Sequence, residues 1–388
     1  MASTEDELSA AAAFEELRSG RDLMDGVIPD LLTPQSHRTS FALGCCQYPG
    51  GFIDQAVAYA SYRDLAERLS ADDGGPRFIV LTGDQVYTDA TAGILDPSIR
   101  DGRYILPYNR WLQSRAVRTA LRQVPSYMLL DDHEIENDWE ESNTAEPFDV
   151  AIASYQKYQR HPSSPATRLY FHFDFDQFPF FMLDTRTRRD ERNLLNIHTA
   201  DIFDGQGTGN QLSDLATWIQ RPPFDRPKFI VSPSMLFPRH REAVRWDHRA
   251  SALHSDGWDG YPASQHELLA MAAKSDTEHV VFLSGDEHVG CIATITVRYE
   301  EAGNEIERIM PSIHTPGLFT PYNFANSGGA DWTPDTARQF NVGGHDFEYT
   351  VTYTPFPGEG FAYINAEDEA GVWHLTCQFA DGPVHSVF

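Results

Sequence analysis

Three short apolar runs in this chain each stop abruptly at acidic and imidazole side chains. The runs and the groups that follow them are residues 78–81 with Asp84, residues 127–130 with the Asp-Asp-His-Glu stretch 131–134, and residues 280–283 with Asp286 and His288. Short apolar runs bounded by turn residues are typical of buried strands. Because the carboxyl ends of neighbouring strands in an open α/β sheet face one crevice, we expect these polar groups to converge on a single site.

The apolar periodicity predicts helices and further strands around these three runs. Predicted helices cover 5–19, about 55–73, 109–124, 148–160, 210–220 and 262–274. Predicted strands cover 39–46, a hairpin at 170–183, 229–231, a hairpin formed by 291–300 and 305–312, and much of the final 45 residues. Turn-rich segments predict loops at 88–108, 139–147, 190–210 and 238–261.

This order of elements predicts an α/β fold with two mixed sheets flanked by helices, a four-layer α/β/β/α sandwich. Residues 1–36 are expected to form a helical arm, and residues 37–388 a single domain, because no repeat or long linker interrupts them.

Composition excludes some partners. The chain carries 57 acidic and 30 basic residues, a formal net charge of -27. Such a surface repels nucleic acids and anionic membranes, so neither is an expected partner. An anionic substrate would need metal ions or arginine to bind. The same charge is also explained by solubility or adaptation to salt.

The four cysteines, Cys45, Cys46, Cys291 and Cys377, are too few to form a disulfide framework in a chain of this length. No apolar run is long enough for a transmembrane helix. The acidic amino terminus lacks the features of an export signal, so a cytoplasmic location is expected unless a leader was removed.

Taken together, four motifs resemble the alkaline phosphatase D family of calcineurin-like metallophosphoesterases. They are Gly83-Asp84-x-x-Tyr87, Asp131-Asp132-His133-Glu134, Asp184-Thr-Arg186 and Gly285-Asp286-x-His288, with Trp258-Asp-Gly-Tyr261 as a further element. They occur in the family's order over about residues 40–290. The resemblance implies a metal-dependent phosphoesterase that acts on a small phosphate ester.

The resemblance also implies roles for individual residues. Asp84 matches a bridging carboxylate, and the other implied metal ligands are Cys46, Tyr87, Asp132, Asp286 and His288. The superfamily's opening Asp-x-His is replaced here by Cys45-Cys46-Gln47. Its histidine after a middle strand is absent from Val231-Ser-Pro-Ser-Met235, so the second metal would rely on carboxylates and water.

The implied donors indicate which metals would bind. Thiolate, phenolate, carboxylate and imidazole together favour Fe³⁺, whereas the oxygen donors of Asp84, Asp132 and Asp286 suit Ca²⁺. Mn²⁺, Mg²⁺ and Zn²⁺ remain alternatives. Two such ions sharing Asp84 and a hydroxide would drive in-line displacement at phosphorus.

Other residues would then support catalysis. Arg186 would neutralise charge on the phosphoryl oxygens, His133 would donate a proton to the leaving oxygen, and Asn137 would bind substrate. Arg188 and Arg189 are expected to pair with surface carboxylates. His240, His248, His254 and His266 fit no ligand spacing and are expected on the surface or in a substrate loop.

Each assignment has a structural alternative. Asp84 could cap a helix or close a turn, Cys46 and Tyr87 could be core residues, and Arg186 could form a surface ion pair. At the level of function, the alternatives are a hydrolase of phosphotriesters or other phosphorus esters, and a metal-binding or sensing protein without turnover. The sequence does not indicate the oligomeric state.

Overall fold

The computed structural model describes residues 37–50, 55–71, 75–89, 102–140, 147–161, 168–203, 210–237, 240–241, 257–320, 330–331 and 337–388. The predicted arm at 1–36 lies outside the described residues, as does much of the predicted loops 88–108 and 238–261. The division into an arm and one domain therefore stays a prediction.

Two mixed sheets form the framework, with strands numbered in chain order. The first contains, in spatial order, β17 (Val384–Ser386), β16 (Val372–Phe379), β15 (Ala362–Glu369), β1 (Arg38–Gln47), β2 (Phe78–Leu81) and β3 (Ser126–Met128), with β11 (Gly317–Phe319) paired to the end of β1. The second contains β13 (Arg338–Val342), β14 (His345–Phe356), β9 (Gly290–Glu301), β10 (Asn304–His314), β8 (Val280–Ser284), β6 (Lys228–Ser232), β5 (Phe178–Met182) and β4 (Phe171–Phe175). A separate pair joins β7 (His240–Arg241) to β12 (Ala330–Asp331).

Helices cover the outer face of each sheet. The first sheet carries α1 (Gln55–Ala58), α2 (Ala60–Leu69), α3 (Leu106–Gln113) and α4 (Arg115–Leu121), and the second carries α6 (Gln211–Ile219) and α7 (Pro262–Ala273). Helix α5 (Pro147–Tyr158) packs against side chains of residues 130–139, which follow β3. A 3-10 turn spans Trp258–Gly260. The predicted four-layer sandwich is confirmed.

Alternation along the strands explains the layers. In β1, Phe41 and Leu43 face the second sheet, whereas Ala42 faces the helices. The Phe41 ring packs edge-on against Phe180 and Phe229, with 5.4 Å between ring centroids in both pairs. Because successive strand side chains point to opposite faces, one strand serves two cores. The core between the two sheets thus contains side chains of β1, β2 and β8.

Some predicted elements differ from the structure. The helix predicted at 109–124 is two helices that start at Leu106, because Ser114 adopts an extended conformation between them. The loop predicted to be exposed at 139–147 begins with a buried residue: Trp139 stacks on Phe148, with ring centroids 5.5 Å apart. A large aromatic surface favours burial here over exposure. No helix among the described residues is long and apolar enough to cross a membrane.

His266 in α7 stacks on Phe340 in β13, with 4.4 Å between the rings. It therefore joins the outer helix to the second sheet and is partly buried. Burial and the nearby Arg338 cation lower the pKa of His266 to about 4 from 6.5.

We predict that His266 makes the fold less stable in acid. The unfolded chain takes up this proton below pH 6.5 but the folded chain does so only near pH 4, so stability falls as the pH drops between these values. His266→Phe keeps a stacking ring without the proton. Between pH 6.5 and pH 4, thermal melts should show that the free energy of unfolding falls by about 1 kcal/mol more in wild type than in the variant. This value allows for the partial exposure of the ring. Equal pH dependence in the two proteins would contradict this prediction.

Candidate metal centre

The predicted ligands lie at one edge where the two sheets meet. Cys46 is at the end of β1, Asp84 and Asp131 follow β2 and β3, and Asp286 follows β8 of the second sheet. Backbone hydrogen bonds hold these strand ends together: Cys46 N donates to Gly83 O at 3.2 Å, and Gln47 N donates to Asp84 O at 2.8 Å. The convergence expected from the sequence is present.

Four of the predicted ligands have a left-handed backbone. The φ values are 55° for Cys46, 56° for Asp84, 88° for Asp286 and 56° for His288. This region costs free energy for residues other than glycine, so it persists only where the surrounding structure enforces it. Such strain clusters at functional sites, and here it marks the ends of β1, β2 and β8 but not that of β3.

Two glycines allow the strand ends to come this close. A Cβ on Gly83, where φ is 126°, would clash with the side chain of Asp131. A Cβ on Gly285 would clash with Thr82 Oγ1 and lie 2.6 Å from Cys45 Cβ. The glycine before each of these aspartates is therefore required by packing, and Cys45 is a buried core residue.

Asp84 lies at the centre of two groups of candidate ligands. Asp84, Asp132 and His133 form one group, and Asp84, Asp131 and Asp286 form the other. In each group the ligand atoms all lie within 4.8 Å of one another. Asp84 is thus common to both groups, and Asp131, which had no role assigned from the sequence, belongs to the second.

The remaining predicted ligands border the same space. Cys46 Sγ lies 3.5 Å from Asp84 Oδ2 and 3.8 Å from the Asp286 carbonyl oxygen. The Tyr87 hydroxyl lies 3.4 Å from His288 Nε2. The structure therefore brings together all six residues predicted to bind metal.

Burial makes this set of donors unfavourable without cations. Asp84 is buried, and burial together with the Asp132 and Asp131 carboxylates raises its pKa well above its ordinary value. Burial and nearby negative groups likewise raise the pKa values of the Cys46 thiol and the Tyr87 phenol. A bound cation reverses this effect, because it stabilises the ionised form of each ligand.

Asp132 offers a specific test of whether metal fits. Its Oδ2 accepts a hydrogen bond from Asp138 N at 2.7 Å, but its buried Oδ1 has no hydrogen-bond partner among the described residues. Buried polar atoms in proteins are nearly always satisfied. This oxygen makes no hydrogen bond to a described residue, although the Arg186 guanidinium lies 3.6 Å away. Its place within a group of carboxylates and imidazole fits a metal ligand, so the donors present fit a metal centre.

Glu134 organises the backbone beneath the ligands, a role that the sequence analysis did not assign. Its Oε2 accepts from Asp84 N at 3.0 Å and Asp131 N at 2.9 Å, and its Oε1 accepts from Gln85 N at 2.8 Å. Gln159 Nε2 donates to Oε1 at 2.9 Å. One fully buried carboxylate thus links the ends of β2 and β3.

His133 is positioned by Asp89, which the sequence analysis also missed. His133 Nδ1 lies 2.9 Å from Asp89, whose Oδ2 accepts from Asn137 N at 2.7 Å. Burial lowers the pKa of His133, but the Asp132 and Asp89 carboxylates outweigh it and raise the pKa to about 9. Asn137 itself is exposed at the rim of the site, where the sequence analysis expected a substrate contact.

Arg186 is fully buried, and its guanidinium lies between two of the acids. Nε donates to Asp131 Oδ1, and Nη2 lies 3.6 Å from Asp132 Oδ1. Asp184 holds the turn by accepting from Arg186 N at 3.1 Å and from Thr187 N at 3.0 Å. The guanidinium therefore contributes positive charge at the ligand group itself.

Two of the predictions for nearby residues were wrong. Arg189 was expected on the surface, but it is fully buried, with its Nε donating to Thr185 O and its guanidinium 5.0 Å from the Tyr261 ring. The aromatic face compensates for burial of the charge. His266 is partly buried against Phe340, and His248 and His254 lie outside the described residues.

The family model described as PhoD-like phosphatase matches residues 41–350. The chain belongs to the PhoD-like phosphatase family. Alkaline phosphatase D from Bacillus subtilis (strain 168) is 25% identical over 293 residues, which cover 69% of this chain and 48% of that protein. The chain thus spans about half the length of this PhoD-like relative.

A solved structure of PhoD also matches this PhoD-like chain. Its TM-score is 0.59, with 15% identity, over 91% of this chain and 69% of that one. This comparison supports the sandwich fold. The ligand geometry described above is a property of this chain's own residues.

We predict that Glu134→Gln destabilises the protein. The change replaces one acceptor oxygen with an amide group that faces hydrogen-bond donors, which leaves buried N–H groups unsatisfied. The free energy of unfolding should fall by roughly 2–4 kcal/mol in urea denaturation. Glu136→Gln, in the same segment but partly exposed, is the control and should stay within roughly 0.5 kcal/mol of wild type. Equal losses in both variants would contradict the role of Glu134.

Proposed function

We propose that this protein is a metal-dependent phosphoesterase that hydrolyses phosphomonoesters, phosphodiesters or both. The observation that carries the proposal is the pair of ligand groups that share Asp84, enclosed by Cys46, Tyr87 and His288. Membership of the PhoD-like phosphatase family supports it. Two metal ions held by the carboxylates of these groups, with His133 left as the proton donor, suit displacement at phosphorus.

The ligands divide into two sets by chemistry. Cys46, Tyr87 and His288 offer sulfur, phenolate and imidazole donors, which with Asp84 favour Fe³⁺. Asp131, Asp132 and Asp286 offer oxygen donors that favour Ca²⁺, with Mn²⁺, Mg²⁺ or Zn²⁺ as alternatives. When bound, the ions would polarise the phosphoryl group and lower the pKa of a water molecule.

His133 then serves as the proton donor to the leaving oxygen. Its Nδ1 is engaged by Asp89 at 2.9 Å, which leaves Nε2 free to face the substrate. A carboxylate bound to Nδ1 fixes the orientation of the ring and favours its protonated form. The mechanism therefore assigns Asp89 a positioning role that acts through His133.

Arg186 contributes by charge. Its guanidinium is held by Asp131 and lies near Asp132, so it adds a fixed positive charge where negative charge develops on the phosphoryl oxygens. Being held in place, it needs little reorganisation during the reaction. Asn137 at the rim is the proposed contact to the substrate.

We predict that Asp84→Asn and Asp286→Asn abolish activity and reduce bound metal. Both changes keep the shape of the side chain and remove its charge. Elemental analysis by plasma mass spectrometry should show loss of both ions in Asp84→Asn, loss mainly of the second ion in Asp286→Asn, and loss mainly of iron in Cys46→Ser. Asp174→Asn, on the exposed face of β4, is the control and should resemble wild type.

Several outcomes would contradict this assignment. Full activity in Asp84→Asn would show that catalysis does not require the candidate metal centre. A folded protein that loads metal stoichiometrically but turns over no ester would instead favour the metal-binding or sensing alternative. Turnover confined to triesters would favour the related phosphorus-ester hydrolase.

We predict that His133→Asn lowers kcat in proportion to the basicity of the leaving group. A lost proton donor matters little for 4-nitrophenyl phosphate and costs roughly 10²–10³-fold for phenyl or alkyl phosphates. Asp89→Asn should show the same trend with a smaller loss. His172→Asn, exposed on β4, is the control. A uniform loss across all leaving groups would exclude the proton-donor role.

A further inference from the structure

A pocket of about 1110 Å³ opens on the outer, helical side of the first sheet. It lies between α2 on one side and α3 with α4 on the other, and Pro49 and Gly50 form one end. The proposed mechanism does not use it. Its size is that of a site for a small organic ligand.

The described lining of this pocket is positively charged, whereas the chain is acidic, and we call it the arginine pocket. Its described lining contains Arg63, Arg110 and Arg115 and a single carboxylate, Glu67, although the chain as a whole has 57 acidic and 30 basic residues. Arg63 and Arg115 are exposed, and neither forms an ion pair or side-chain hydrogen bond with another described residue. Because both guanidinium groups are exposed and form no ion pair with a described residue, they can bind an anion in the pocket.

The rest of the lining indicates the size and polarity of the ligand. Ser70, Ser114 and Thr119 add hydroxyl groups, and Tyr59, Ala66 and Ala116 add apolar surface. Burial raises the pKa of Tyr59 to about 12, while the Arg110 cation opposes that shift, so the phenol stays neutral and can donate a hydrogen bond. An anionic group on an apolar carrier matches this surface better than a bare inorganic ion.

One end of the pocket lies next to the candidate metal centre. Pro49 and Gly50 directly follow Tyr48, whose ring packs on Tyr87 with 5.0 Å between centroids. Tyr87 is a proposed metal ligand. Cys46 is three residues before Pro49, so the chain places the pocket edge within about 11 Å of it. A single extended substrate could therefore reach both sites.

We propose that the arginine pocket is a second anion subsite, which binds a negatively charged group on the part of the substrate distant from the scissile phosphate. The inference rests on the proposed phosphoesterase function and narrows its substrate class. The preferred substrate then carries two anionic groups joined by a spacer.

The test compares alkyl monophosphates with α,ω-alkane bisphosphates of increasing chain length. Phosphate release is measured with metal-loaded wild type, Arg63→Gln/Arg115→Gln and Arg122→Gln. Arg122 caps α4 outside the pocket, so its variant controls for lost positive charge. In wild type, kcat/KM should favour the bisphosphate and peak at one chain length.

In the double variant, kcat/KM for that bisphosphate should fall roughly tenfold, mainly through KM, with the monophosphate unchanged. Added salt should reduce the wild-type preference, because the pocket is open to solvent. Arg122→Gln should behave as wild type. Equal losses for both substrates, or no chain-length dependence in wild type, would overturn the subsite. Inhibition or activation by free sulfate without chain-length preference would also overturn it, in favour of a separate anion site.

The proposed function and the subsite can fail separately. If metal-loaded wild type hydrolyses no ester of either series, the proposed function fails. Calorimetric titration with the same bisphosphate then tests, independently of turnover, whether the arginine pocket binds an anion. An affinity that does not weaken in Arg63→Gln/Arg115→Gln overturns the arginine pocket as an anion site.

Discussion

Repulsion between buried carboxylates is the constraint on which this structure depends. Asp84, Asp131 and Asp132 are buried at one edge beside the partly buried Asp286, with Arg186 paired to Asp131 and close to Asp132. Unpaired buried charge is costly, and removal of one partner of a buried ion pair usually costs more than the pair contributes. Strands buried on both faces hold the backbone in this arrangement, and bound cations would balance the charge.

The scaffold meets this constraint through backbone geometry. Gly83 and Gly285 let strand ends approach closely, and left-handed conformations at the following aspartates turn the chain sharply. Glu134 then ties Asp84 and Asp131 together through their N–H groups. The ligands are therefore positioned by the same interactions that end the strands, and this coupling explains why the glycines and acids occur as adjacent pairs.

Much of this organisation could be predicted from local sequence. A strand that ends in Gly-Asp indicates both the buried run and a candidate ligand. The sandwich was therefore predicted from pattern and resemblance, as was the gathering of six candidate ligands at one edge. Asp89 and Glu134 could not be assigned, because their roles depend on contacts with residues 44 and 50 positions away. The polar sequence around Arg189 and Trp139 indicates surface residues. In the fold, however, Arg189 lies over the Tyr261 ring and Trp139 stacks on Phe148 of α5.

Because Asp84 and Asp131 extend from the first sheet and Asp286 from the second, any ion bound between them is a cross-link between two layers. Cys46 and Asp286 are separated by 240 positions in the chain. The set of candidate ligands is complete only where the end of β8 lies beside the end of β1. A metal ion bound at this edge would therefore hold the two sheets together and slow their separation.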